Sequence, residues 1–168
     1  FRVFNTNEFA KELEKGETML DLYCCIQNRF ERIIHDAQSV LLFFIDSNNK
    51  HQLTMFNLKT RNIVPVASTY FFEVITDSKS VQFLSSDGDK DFMAIMTELM
   101  SFGEKIGIRV RKKCQRIVGF PCINDENDEV FAIIIATSNA DLPRSQIAAA
   151  SDASSRCAQY ICKHMENR

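Results

Sequence analysis

Two apolar runs constrain this chain more than any other feature: Ser39–Asp46 (SVLLFFID) and Phe131–Ile135 (FAIII). Neither alternates with polar residues. Both are short and rich in branched and aromatic side chains, which predicts strands buried on both faces. A chain with two such strands needs a sheet, and it needs material to cover that sheet.

The rest of the chain supplies both. After Ser39–Asp46 comes a turn, Ser47-Asn48-Asn49-Lys50, and then Gln52–Lys59 (QLTMFNLK), which alternates as a strand does. Asn62–Ala67 is a further short extended piece, and its Pro65 places it at an edge or in a loop. Val81–Ser85 reads as a short strand. Ile108–Ile123 and Glu129–Thr137 flank the polar turn 124–128 and predict a long hairpin that carries Cys114 and Cys122 in its strands.

Helical spacing fills the gaps. Asn5, Thr6 and Asn7 offer capping chemistry before Glu8–Lys15, and Gly16 divides that helix from Glu17–Asp36. In the second helix Met19, Tyr23, Ile26, Phe30 and Ile33 step by 4, 3, 4 and 3, the spacing of a packed seam. Tyr70–Thr76 follows Ser68 and Thr69 as caps. Phe92, Ile95, Met96, Leu99 and Phe102 share one face of a helix over 90–105, which Gly103 and Gly107 end. A last helix runs from Arg144 to Met165, with small residues Ala148, Ala149, Ala153 and Cys157 as a stripe. Hairpins outnumber crossovers in this order. The expected class is α+β: a central antiparallel sheet, helices mainly on one face, and the N- and C-terminal helices packed together.

Composition narrows the function. A length of 168 residues suits one domain, and 45 % apolar with 25 % charged residues is globular. The net charge of -2 argues against nucleic acid or an anionic membrane as partner. No apolar run reaches the roughly 20 residues that span a bilayer. The chain opens at Phe1 without an initiator Met, so a single domain over 1–168, with its core over about 17–165, is expected to be a segment of a longer protein. Cysteines 24, 25, 114, 122, 157 and 162 form no Cys-x-x-Cys, and they are expected to be reduced thiols in a cytoplasmic compartment.

Motifs for chemistry are sparse. His35, His51 and His164 have no partner at metal spacing, so no metal is expected. The acidic loops 87–91 and 124–129 lack the ligand spacing of a calcium loop. No phosphate loop, nucleophile elbow or zinc-protease pattern appears, and no catalytic residue is expected. The densest charge feature is Arg109, Arg111, Lys112, Lys113 and Arg116. It is either a site for phosphate or an acidic partner, or a solvated sheet face or edge.

The element order, with the strings SVLLFFIDSNNKHQLTMF and VRKKCQRIVGFPCINDENDEVFAIIIATSN, resembles the GAF domain, a sensory fold of cyclic-nucleotide phosphodiesterases, phytochromes and many bacterial regulators. The second string holds Phe120-Pro121-Cys122-Ile123, similar to the family's element before its polar loop, and it ends near Asn139. The resemblance implies a non-catalytic regulatory domain that senses a small ligand, dimerises, or does both within a signalling protein. It implies a cavity between sheet and middle helices, with Phe44, Phe83, Phe92, Met96 and Cys114 as lining and Thr97 or Arg116 as polar contacts. It also implies self-association, or contact with a neighbouring domain, through the helix seam of Met19, Tyr23, Ile26, Phe30 and Ile33. A cyclic nucleotide is one ligand the family takes. Of the family's spaced Asn-Lys-Phe-Asp-Glu set only Asn139 is matched; Ala140, Leu142, Gln146 and Ile147 fall where the others would stand. The alternative is a ligand-free GAF-like or profilin-like scaffold used only for protein–protein assembly.

Overall fold

The computed structural model describes residues 6–46, 48–49, 52–67 and 69–166. The cap reading of Asn5, the turn at Ser47 and Lys50, His51, and the cap reading of Ser68 lie outside the described residues.

Five helices and six strands follow in the order α1 (Thr6–Lys15), α2 (Met19–Ile33), β1 (Ala37–Ile45), β2 (Leu53–Phe56), β3 (Ile63–Val66), α3 (Tyr70–Ser78), β4 (Gln82–Ser85), α4 (Phe92–Ile106), β5 (Arg116–Asn124), β6 (Glu129–Ser138) and α5 (Arg144–Glu166). The strands form one sheet in the order β3-β2-β1-β6-β5-β4, and every pairing is antiparallel. The two apolar runs are β1 and β6, paired at the centre of the sheet. Pro65 sits in β3 at one edge, where its missing N–H costs no ladder bond.

Alternate side chains of the central strands enter two separate cores. Val40, Leu42, Phe44, Ala132, Ile134, Ala136, Val118, Phe120 and Cys122 meet α1, α2 and α5. Leu41, Phe43, Ile45, Ile117, Ile133 and Ile135 meet α3 and α4. The three terminal helices therefore share one face, packed together as expected. The opposite face is covered as well, by the middle pair. Register shifts interrupt the alternation at two places: β1–β6 between Ala37 and Ser39, and β5–β6 after Cys122, so that Phe131 is extra and Val130 drops to the α3–α4 side.

Local chemistry sets the element ends. Gly16 separates α1 from α2, and the cap of α2 is Thr18. Its hydroxyl accepts from the Asp21 N–H at 3.1 Å, while Asp21 Oδ2 accepts from the Thr18 N–H at 3.1 Å, a reciprocal capping box. The Thr18 hydroxyl and the backbone N–H groups hold the Asp21 carboxyl below its ordinary pKa. Thr69 caps α3 by accepting from the Phe72 N–H. Gly119 lets α3 close on β5, because any Cβ there would overlap Ile75 Cδ1.

Polar bonds tie the two terminal segments. His35, just after α2, donates its N–H to Gln146 of α5 at 2.9 Å and accepts at its carbonyl from Ser138 Oγ at 2.7 Å. The buried hydroxyls of Ser39 and Thr137 lie 2.5 Å apart across β1 and β6. Tyr23 of α2 donates its phenol to the Val40 carbonyl at 3.0 Å, and burial pushes the pKa of that phenol up.

Candidate ligand groove

Ile108–Ile123 is not one strand. β5 begins only at Arg116, and residues 108–115 form an irregular strap. The reason lies in the neighbours. β4 ends at Ser85 and β6 at Ser138, so no strand is left to pair with anything before Arg116. The strap instead lies against the end of α4. Gly103 makes that approach possible: a Cβ there would stand 2.5 Å from the Ile108 carbonyl oxygen and 2.6 Å from Val110 Cγ2. Gly107 ends the helix at φ +89°, and the Ile108 N–H returns to the Gly103 carbonyl at 2.8 Å.

A third piece is fastened to the same helix end. The Leu58 N–H donates to the Ile106 carbonyl at 3.0 Å, and Asn57 Nδ2 donates to the Lys105 carbonyl at 3.3 Å. These bonds satisfy carbonyls that α4 leaves open at its C-terminus. They also place Lys59, whose stem lies over Gly107, so that a Cβ on that glycine would come 3.0 Å from Lys59 Cγ.

Between α4, the strap and Lys59 runs an open groove of about 620 Å³. Met100, Ile108 and Val110 give it an apolar floor. Lys59 and Arg109, both exposed, bring cations to it, and Thr97, Ser101 and Glu104 bring oxygens. The Thr97 hydroxyl donates to the Met93 carbonyl at 2.9 Å, which leaves its lone pairs to accept from a ligand. The arrangement suits a molecule with an apolar body and an anionic group.

Of the residues expected to line a cavity, Thr97 alone reaches this groove. Phe92 and Met96 are buried in the α3–α4 core, and Phe44 points to the opposite face. Phe83 stands 43 % exposed on the edge strand β4. Cys114 lies in the strap, not in a strand. Its thiol is directed at the Arg116 carbonyl (2.9 Å) and the Ser138 carbonyl (3.5 Å), and burial raises its pKa. Arg116 binds Asp141 at 2.7 Å and Asp87 at 3.6 Å. The space between the sheet and the middle helices holds the rings of Phe43, Phe72 and Phe102, with centroids 4.7 to 6.2 Å apart.

The helix seam is likewise inside. Tyr23, Ile26 and Phe30 are buried beneath α2, with Phe30 5.5 Å from the Phe120 ring, while Met19 and Ile33 pack partly buried around them. In α5, Ala153 and Cys157 face the core with Ala150, whereas Ala148 is exposed. Outward positions of α2 and α5 include Asp21, Asn28, Glu31, Arg32, Asp152, Arg156 and Lys163.

Lys59, Met100, Ser101, Glu104, Ile108 and Val110 carried no signal of a site in the sequence. The hints available were Arg109 within the basic run and the Gly103–Gly107 spacing, which reads only as a helix stop until the strap is seen lying on it.

All six cysteines are free thiols. Burial pushes Cys25 up to about 11, and burial also drives Cys157 toward its neutral form. Among the described residues no three His, Cys, Asp or Glu gather as metal ligands, and no helix is long and apolar enough to cross a membrane.

No protein-family model and no curated protein matches the chain. Solved structures do. The GAF domain of a phosphoenolpyruvate-protein phosphotransferase from Coxiella burnetii superposes with a TM-score of 0.63 at 11 % identity, covering 96 % of this chain and 92 % of that one. The GAF domain of a two-component sensor histidine kinase from Bacillus halodurans gives 0.58 at 12 % identity, over 91 % and 100 %. The chromophore-binding domain of a bacteriophytochrome from R. palustris gives 0.63 at 6 % identity, over 96 % and 61 %. At such identities the likeness speaks to fold. An antiparallel six-stranded sheet with helices on both faces, matched over nearly its whole length by these structures, is the fold of a GAF domain, and this chain has that fold.

Proposed function

We propose that this chain is a non-catalytic regulatory domain of a signalling protein, and that it senses a small amphiphilic anion in the groove between α4 and the strap. The observation that carries the reading is the groove's composition: an apolar floor of Met100, Ile108 and Val110 between the cations of Lys59 and Arg109. The names of its structural relatives support a sensory role, since they include a sensor histidine kinase and a chromophore-binding domain. Non-catalytic character is supported by the thiols, because Cys114 and Cys157 are buried and held neutral and so are poor nucleophiles. Six free thiols suit a reducing compartment such as the cytoplasm.

A cyclic nucleotide held by the family's usual residues fits less well. None of Asn139, Ala140, Leu142, Gln146 and Ile147 lines the groove. One observation favours the second reading, a scaffold used for assembly alone: aromatic rings fill the interior beneath α3 and α4.

A thermal-shift screen of carboxylates, phosphate monoesters and cyclic nucleotides separates the two. A ligand that binds the native state alone raises the melting temperature with its concentration. The expected hit is an amphiphilic anion whose effect is lost in Lys59→Ala/Arg109→Ala and whose amide shifts map to α4 and residues 107–110. No shift across the panel would leave the scaffold reading, and a shift that the double variant retains would put the ligand outside this groove.

A further inference from the structure

Arg109 faces the groove, but the strap carries three more cations, Arg111, Lys112 and Lys113, all exposed. Arg111 donates to the neutral Gln38 amide at 3.2 Å. Among the described residues no carboxylate lies within ion-pair reach of any of the four. The acids near the foot of the strap, Asp87 and Asp141, are already held by Arg116. Four like charges in five residues therefore repel one another, with no ion pair among the described residues to offset them. The strap is held by Val110 and Cys114, both buried, by the close contact and backbone bond at Gly103, and at its end by Gln115, whose N–H donates to the Ser138 carbonyl at 3.1 Å and whose carbonyl accepts from the Ser86 N–H at 3.0 Å.

We infer that the strap is the docking surface for a short acidic segment of another protein. The charge distribution selects this partner over other anions. Removing the four strap charges from a chain of net -2 leaves -6 on the remainder. A long polyanion or a charged bilayer extends past the strap and meets that opposing field. A segment of a few residues feels only charges within the Debye length, about 8 Å at physiological salt. The strap also has no exposed aromatic residue on which to stack a base, and no exposed large apolar residue to enter a bilayer. Its irregular backbone, outside any strand over 108–114, leaves the guanidinium and ammonium groups able to adjust to carboxylates.

The test uses fluorescence anisotropy with a fluorescein-labelled oligoglutamate peptide. Arg111→Ala/Lys112→Ala/Lys113→Ala should weaken binding about tenfold, the sum of three exposed ion pairs. The control Lys11→Ala/Lys90→Ala/Lys163→Ala removes the same net charge from three scattered exposed sites and should change affinity by less than about twofold. Amide shifts of the unmutated domain should centre on residues 109–113, a measurement that needs no variant. Equal losses in the two triple variants would overturn the proposal. So would tighter binding of a single-stranded oligonucleotide or of phosphatidylserine vesicles through the same three cations, or shifts spread over the whole surface. Because Lys59 and Met100 are untouched, the groove's ligand should still stabilise the strap variant, so the two readings fail separately.

Discussion

Under α5 the sheet meets small residues, Ala150, Ala153, Ser154, Cys157 and Ala158, all buried, so a long helix lies close along β5. Under α3 and α4 it meets rings, with Phe43, Phe72 and Phe102 interlocked and Ile75 pressed onto Gly119. The first arrangement brings the helix close to the sheet, and a polar bond adds to it: Ser154 Oγ donates to the Pro121 carbonyl at 3.1 Å. The second fills the middle of its face but leaves the end of α4 to be covered by a strap. The groove lies where ring packing gives out. Beneath α5 the contacts are small, with rings such as Phe30 and Phe120 packed under α2 beside them, whereas beneath α3 and α4 the rings themselves fill the centre.

The comparison is broken most severely by removing a ring. Phe43→Ala should cost about 4 kcal/mol, and Phe30→Ala on the other face a similar amount, both read from urea unfolding. A loss under about 1 kcal/mol for Phe43 alone would mean that the α3–α4 core already holds free space and that its plug is loose. Gly103→Ala comes next. Its Cβ has no room against Ile108 and Val110, so overpacking should cost about 2 kcal/mol, and the groove's ligand response should disappear as the strap is pushed off. Thr18→Ala should cost about 1 kcal/mol and speed amide exchange in the first turn of α2.

Two carboxylates sharpen the contrast through pH. Asp21 has its pKa depressed in the folded state, so its contribution is present above the unfolded value of about 3.9 and is lost as pH falls through the folded one. Glu98 of α4 behaves oppositely. Partial burial raises its pKa, and its Oε2 has no hydrogen-bond partner among the described residues. Its contribution is fully present below the unfolded pKa and is lost as pH rises through the folded one. Glu98→Gln should therefore raise the melting temperature slightly at pH 7 and leave it unchanged near pH 3. An equal rise at both values would trace the gain to packing rather than charge.

Much of this architecture is legible in the sequence because burial leaves a local mark. SVLLFFID and FAIII read as strands covered on both sides, and Pro65 pointed to an edge or a loop, of which the edge is what forms. Gly16 divides the first two helices, though the cap proved to be Thr18. The strap was not legible. Ile108, Val110 and the alternating arginines look like a strand, and only the lengths of β4 and β6 decide that none can form there. Those lengths are properties of distant segments. The groove failed to show for the same reason, since Lys59, Thr97 and Arg109 meet only after two loops have been fastened to one helix end. The ring cluster was visible as aromatic residues but not as a plug, and so Phe92 and Met96 read as cavity wall when they are filling.

The bonds at His35 have a mechanical meaning. Its N–H and carbonyl are both taken by the far end of the chain, through Gln146 and Ser138, and a few residues away the hydroxyls of Ser39 and Thr137 clasp β1 to β6. The turn between α2 and β1 is therefore pinned from two sides, by α5 through Gln146 and by the end of β6 through Ser138, so the two ends of the chain meet at one hydrogen-bonded joint.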